Sequence, residues 1–161
     1  MRRKPTQQMT NFYQRGGLWV LAQGVLLLAV SLLAVRFRGD RYHPVMVFTG
    51  AILLSLGAGV VLAGAVALGR NLTPFPKPSE KARLVQHGIY SLIRHPLYTG
   101  VMLVSLGWAQ VWQSWPALLM ALGLIPFFDA KARREEHWLR TRFAEYLDYE
   151  RRVKRFIPWI Y

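Results

Sequence analysis

The 161-residue sequence contains no cysteine. That excludes a disulfide framework, a thiolate metal site, a cysteine nucleophile and C-terminal prenylation of this chain itself. Acidic residues are scarce too: eight Asp and Glu stand against 21 Lys and Arg, a formal charge of +13. Charge of either sign is absent from three long stretches, 16–35, 42–69 and 95–128, which are 20, 28 and 34 residues long. A soluble basic domain, a nucleic-acid binder included, distributes its charge to stay solvated, so this segregation argues against nucleic acid as a partner. With 53% apolar residues, disorder is excluded as well. About 20 apolar residues cross a bilayer core as a helix, and all three stretches reach that length. The four His are scattered and suggest no metal site.

What is present has a readable order. The first run predicts a membrane helix over 18–35, bounded by Arg15, Arg36 and Arg38. The second predicts one over 45–68, in which Gly50, Gly57 and Gly64 recur every seven residues. That spacing puts them near one helix face, where missing side chains permit close backbone approach. They lie inside an apolar helix without the spacing of a phosphate loop. The third run is too long for one crossing, since 34 helical residues at about 1.5 Å each reach about 50 Å. Gln113-Ser-Trp-Pro116 is the predicted turn, with polar residues, an interfacial Trp and a Pro suited to a helix start. The resulting spans are 97–112 and 116–128, the second bent at Pro126.

From 129 to 150 the pattern is that of an amphipathic helix. Leu139, Phe143, Tyr146 and Leu147 share a face, and Arg133, Arg134, Arg140 and Arg142 fall largely elsewhere. Such a helix suits the surface of an anionic membrane, and Phe156-Ile-Pro-Trp-Ile-Tyr161 would return an aromatic end to the interface. The expectation is an all-α polytopic membrane protein, one domain over 1–161, with four transmembrane helices and a C-terminal amphipathic cytoplasmic helix. Segment 1–17 carries four Lys or Arg, 70–94 five and the tail from Lys131 nine. The excess of basic residues predicts that these face the cytoplasm, with both termini inside a bacterial-type inner membrane. No cleavage pattern follows the first run, so 1–17 reads as a retained cytoplasmic tail.

Two cytoplasmic segments carry residues that membrane filling does not require. In 84–100, Pro96 disfavours a helical His95 and suits the first position of the next helix. A helix starting at Arg94-His95 would turn its free N–H groups and positive dipole end toward an anion such as a carboxylate. In 131–139, Glu135 and Glu136 stand where the chain leaves the membrane, within reach of the Arg94 loop. Taken alone, Arg94, His95 and Tyr98 also read as interfacial anchors, and Glu135 and Glu136 as salt-bridge partners of Arg133, Arg140 or Arg94.

Together these residues carry a resemblance. His87-Gly-Ile-Tyr90, then Arg94-His-Pro-Leu-Tyr98 and Gly100, a hydrophobic hairpin, Glu135-Glu136, Leu139, Phe143, Tyr146, Tyr149, Arg152-Val153 and Phe156-Ile-Pro158 follow in order. Over 84–158 the chain resembles the isoprenylcysteine carboxyl methyltransferase and phospholipid methyltransferase superfamily of integral membrane enzymes, which use S-adenosylmethionine. The resemblance implies that Leu84, Val85, Tyr90, His95, Pro96, Leu97 and Tyr98 line the cofactor pocket, closed by Glu135. It implies that Lys131 meets the substrate where the prenylcysteine enzymes have Arg, keeping the charge without the bidentate fork. Two further departures are Phe143-Ala-Glu-Tyr146, one residue shorter than the family's Phe-Gly-x-x-Tyr, and fewer membrane spans than in the eukaryotic enzymes.

Arg94, Lys131 and Glu136 are therefore the candidate catalytic residues, with His87 or His95 as other possible bases. The expected activity is methyl transfer from S-adenosylmethionine to an amphiphilic or lipid-like acceptor that enters sideways from the bilayer. A carboxylate acceptor needs no base whereas an amine must lose a proton, which favours carboxyl O-methylation over phospholipid N-methylation. A non-catalytic membrane scaffold is another class, and a membrane reductase, which shares a similar C-terminal pattern, a further one. No ionisable residue lies within the predicted spans, which speaks against an ion pathway.

Overall fold

The structure, a computed structural model, describes residues 12–40, 43–77 and 82–161. Of the predicted cytoplasmic tail, residues 1–11 lie outside the described residues. Five α-helices follow in order: α1 (Gly17–Arg36), α2 (Pro44–Leu68), α3 (Pro96–Val111), α4 (Trp115–Arg142) and α5 (Tyr146–Arg152). Short 3-10 turns cover Gly69–Asn71 and Gly88–Ser91.

Proline and serine set the helix starts. Pro44 and Pro96 each open a helix, where the missing N–H costs nothing. Ser114 caps α4 by accepting from the Ala117 N–H, and its hydroxyl donates to the Leu33 carbonyl at 3.1 Å, tying the α3–α4 turn to α1. Gln113, at φ 54°, makes the reversal. The turn falls where the sequence places it, but α4 does not stop near 128. It runs unbroken through Pro126 to Arg142, so the predicted exit helix is its continuation. Phe143 then takes an extended conformation (φ −119°, ψ 113°), and α5 begins afresh at Tyr146.

Three helical stretches, Gly17–Arg36, Pro44–Asn71 and Trp115–Arg142, are long and apolar enough to cross a membrane. α3, with 16 residues, is shorter, about 24 Å against a bilayer core of about 30 Å, and packs against both α2 and α4. Large side chains such as Val25, Phe48, Leu62, Val66 and Leu119 point outward and are exposed. The buried residues of α2 are Gly50, Gly57 and Gly64. This arrangement, with small residues inside and large ones outside, suits an integral membrane protein whose solvent is lipid.

The glycine face of α2 meets glycines the sequence reading left aside. Gly57 opposes Gly100 and Gly50 opposes Gly107, so α2 and α3 touch backbone to backbone in the largest helix interface. A Cβ on Gly57 would sit 2.8 Å from the Gly100 carbonyl oxygen, and one on Gly107 would sit 2.6 Å from that of Gly50. Gly64 lies over Pro96 and Leu97, which brings the end of α2 against the start of α3.

The C-terminal tail is fastened to that same start. The Arg94 and His95 N–H groups donate to the carbonyls of Lys154 and Arg155 at 2.8 and 3.1 Å, and Ile93 pairs with Lys154 in a parallel bridge. Below them lies Glu136, with no exposed surface. Its carboxylate accepts from Arg94 at 2.8 Å, from Arg155 at 2.7 Å and faces His95 Nε2 at 3.1 Å. Arg155 also reaches Asp129 at 2.7 Å, and Arg94 Nη1 donates to the backbone carbonyls of Glu150 and Val153. A carboxylate out of water is costly unless several donors share its charge, and here the segment before α3 and the C-terminal tail supply them.

Two outcomes are expected. Gly57→Val and Gly100→Val, which force the helices apart, should each lower the thermal midpoint in detergent by the equivalent of about 1–3 kcal/mol, the usual cost of overpacking. Gly59→Ala, whose Cβ would meet nothing within 4 Å, should leave it unchanged. Glu136→Gln removes the buried charge that Arg94 and Arg155 share, leaving Arg155 to Asp129 and Arg94 to Glu150 at 3.6 Å, so unfolding should be easier by about 3 kcal/mol, the lower end of the usual cost of breaking a buried pair.

Candidate active site

Beside this ion cluster a cleft opens between the 82–98 segment, α4 and α5. It encloses about 800 Å³ of empty space, part of it open to solvent. Seven of the eight residues expected to line a cofactor pocket do line it: Leu84, Val85, Tyr90, His95, Leu97, Tyr98 and Glu135. Pro96, the eighth, is fully buried against Gly64 and shapes the cleft from behind. Leu68, Asn71, Thr73, Phe75, Ala82, Arg83, Arg94, Leu139, Phe143, Tyr146 and Tyr149 complete the wall.

Local structure explains the convergence. Gly88, at φ 61°, reverses the chain so that the 3-10 turn can bury Tyr90. Pro96 opens α3, and the first turn brings Tyr98, three residues after His95, beside it, with rings stacked at 5.3 Å and 2° between planes. The Tyr98 hydroxyl donates to Glu135 Oε2 at 2.6 Å, and His95 Nδ1 stands 3.7 Å from the same oxygen. His95 thus lies between two carboxylates, Glu135 on the cleft side and buried Glu136 behind. The Tyr149 hydroxyl donates to the Tyr90 carbonyl at 2.6 Å. Burial holds the phenols of Tyr90 and Tyr149 well above their ordinary pKa, so both stay neutral.

The three candidate catalytic residues are placed differently. Glu136 does not line the cleft, and its carboxylate is engaged by Arg94, His95 and Arg155, which keeps it from serving as a base there. Arg94 lines the cleft, but its guanidinium is spent on Glu136 and two backbone carbonyls. Lys131 is buried behind Tyr98, bonded to Gln23 Oε1 and the Pro74 carbonyl, with its ammonium 5.0 Å from the Tyr98 ring centre. These are positioning roles: Lys131 ties α4 to α1 and to the loop after α2. His87 is exposed and does not line the cleft.

The expected anion site at the start of α3 is largely closed. The N–H groups of Arg94 and His95 serve the tail, Pro96 has none, and those of Tyr98 and Thr99 bond the His95 carbonyl. Arg155, the second arm on Glu136, escaped the sequence reading because it looks like one more basic tail residue; the hydrogen bond to Glu136 raises its pKa further. The amphipathic spacing puts Tyr146 on the membrane-facing stripe; in the structure it turns inward together with Tyr149, three residues on, and both line the cleft.

The sequence profile of the phospholipid methyltransferase family matches residues 45–146. The chain is 30% identical over 147 residues to protein-S-isoprenylcysteine O-methyltransferase A of Arabidopsis thaliana, covering 88% of this chain and 74% of that protein. It is 31% identical over 155 residues to the cobalt-zinc-cadmium resistance protein CzcN of Cupriavidus metallidurans, covering 95% and 68%. Among solved structures, the eukaryotic intramembrane Ras methyltransferase ICMT (isoprenylcysteine carboxyl methyltransferase) shares the fold, with TM-score 0.65 at 22% identity over 90% of this chain. The chain spans about half of that structure's length, 53%. By the profile match and the relatives aligned along most of its length, the chain belongs to the phospholipid methyltransferase family, within the superfamily that includes the isoprenylcysteine carboxyl methyltransferases.

Proposed function

We propose that the cleft binds S-adenosylmethionine and that the protein methylates the carboxylate of an amphiphilic acceptor of the isoprenylcysteine type. The observation that carries this reading is the pairing of Tyr98 with Glu135 at the mouth of an aromatic cleft. The residues present fit the donor. The wall is mostly apolar and aromatic with a few polar groups among them, the usual make-up of a small-molecule site. Tyr90, Tyr98, Phe75 and Phe143 offer ring faces to a base or a sulfonium. Glu135, with one oxygen held by Tyr98, keeps the other for an ammonium or ribose hydroxyls. When bound, the cofactor supplies a methyl group on a positively charged sulfur.

The remaining work falls to orientation and exclusion of water. Arg94 and Glu136 fix His95, His95 stacks on Tyr98, and Tyr98 aims Glu135, so the binding groups are set before any ligand arrives. Apolar side chains of α2, α3 and α4 keep the inner end dry. An apolar groove between α1, α2 and α3, lined by Leu27, Val30, Ala65, Val101 and Val104, begins one helical turn from Leu97 and Tyr98. That neighbourhood suits an acceptor whose hydrocarbon chain stays in lipid while its head reaches the cleft. With Glu136 saturated, no carboxylate in the cleft wall other than Glu135 is placed to remove a proton, which favours a carboxylate acceptor over an amine. Phospholipid N-methylation is the second reading, and the matched family profile is what favours it. The excess of basic residues in 70–94 and 131–155 supports a cytoplasmic position for the cleft in either case.

Glu135→Ala should weaken retention of labelled S-adenosylmethionine by the detergent-solubilised protein at least tenfold; unchanged retention contradicts the assignment. Labelled methyl should pass to an S-farnesylcysteine derivative with a free carboxylate and not to its amide. Transfer to phosphatidylethanolamine instead would establish the second reading.

A further inference from the structure

Four tyrosines line the cleft, and three hydroxyls are accounted for or open. Tyr98 donates to Glu135, Tyr149 to the Tyr90 carbonyl, and the Tyr90 hydroxyl is not sealed in. Tyr146 differs. Its side chain is 1% exposed, its ring stands edge-on to Tyr149 at 5.8 Å, and Leu84, Leu139 and Phe143 pack around it. Its hydroxyl oxygen is buried and has no hydrogen-bond partner among the described residues. Phe would fill the same space without leaving a polar atom unpaired, and folded proteins seldom keep such atoms.

The hydroxyl also adds to a limited set of donors. A ligand with carboxylate or ring-nitrogen acceptors needs them, and Arg83, Asn71 and Thr73 bring donors to the wall, but Arg94 is spent on Glu136, Lys131 on Gln23 and Pro74, and the first N–H groups at α3 on the tail. Burial, with Glu136 nearby, holds the Tyr146 phenol protonated and so always able to donate. We infer that Tyr146 is a binding residue for the methyl donor, its hydroxyl donating a hydrogen bond to an acceptor atom of the bound molecule. This rests on the reading of the cleft as the donor site. The unpaired hydroxyl is then a cost carried by the empty protein and relieved on binding.

Tyr146→Phe tests it, read by calorimetric titration with S-adenosylhomocysteine and by thermal unfolding of the ligand-free protein in detergent. Binding should weaken roughly three- to tenfold, the worth of one neutral hydrogen bond, while the ligand-free midpoint holds or rises. Tyr149→Phe, which removes a hydroxyl the fold uses, should lower the ligand-free midpoint. Binding by Tyr146→Phe as tight as that of the unaltered protein would overturn the inference and leave the donor site standing. A fall in its ligand-free midpoint like that of Tyr149→Phe would overturn it too, because the hydroxyl would then serve the fold. If the unaltered protein does not bind S-adenosylhomocysteine, the donor site itself fails and the inference with it.

Discussion

A carboxylate wholly removed from water, that of Glu136, decides where the rest of the site can lie. Its charge is balanced only if Arg94, Arg155 and His95 come to it together. Arg94 and His95 belong to the segment just before α3 and Arg155 to the C-terminal tail, while Glu136 itself stands on α4. Three segments distant in sequence are thus pinned at one point. The cost of separating them is large because each broken contact would strand a buried charge. Tyr98 and Glu135, one step outward on either side, inherit their positions from that point.

The membrane part supplies a different kind of order. Lipid gives no advantage to burying Leu over leaving it outside, so close approach of α2 and α3 rests on contact and backbone proximity. Gly50–Gly107 and Gly57–Gly100 provide it, and Gly64 carries the same contact down to Pro96. The α3 start is therefore held from two directions, by glycine packing from the membrane side and by the ion cluster from the aqueous side. Most of the remaining positive charge marks topology, since Arg133, Arg134, Arg142 and Arg151 stay on the surface away from the cleft.

Much of this was legible in the sequence, and what was not has identifiable physical causes. Charge-free runs located four helices and Gln113-Ser-Trp-Pro116 located the hairpin, because the bilayer leaves the chain few alternatives. The cleft residues legible in sequence were those the family resemblance implied, whereas the helix start at Pro96 followed from the Arg94-His-Pro sequence. The end of α4 did not, because the charged residues from Asp129 onward look like an exit from the membrane whether or not the helix stops there. The fates of Arg94, Lys131 and Glu136 could not be read either. A charged residue near a site looks functional in sequence, and only its partners tell whether its charge is available. Arg155 and Gln23, 19 residues after Glu136 and 108 before Lys131, are those partners. Gly100 and Gly107 carry the repeat of α2 onto α3, but the repeat on α3 is only two glycines long.

The central claim is that the methyl donor lies in the cleft between Tyr90, Tyr98 and Glu135. An experimental structure of the protein with S-adenosylhomocysteine in detergent or nanodiscs tests it most directly. The account predicts the ligand in that cleft, against the Tyr98–Glu135 pair, with Arg94 still bound to Glu136. A ligand elsewhere, or one that draws Arg94 off Glu136 to reach it, would contradict the account.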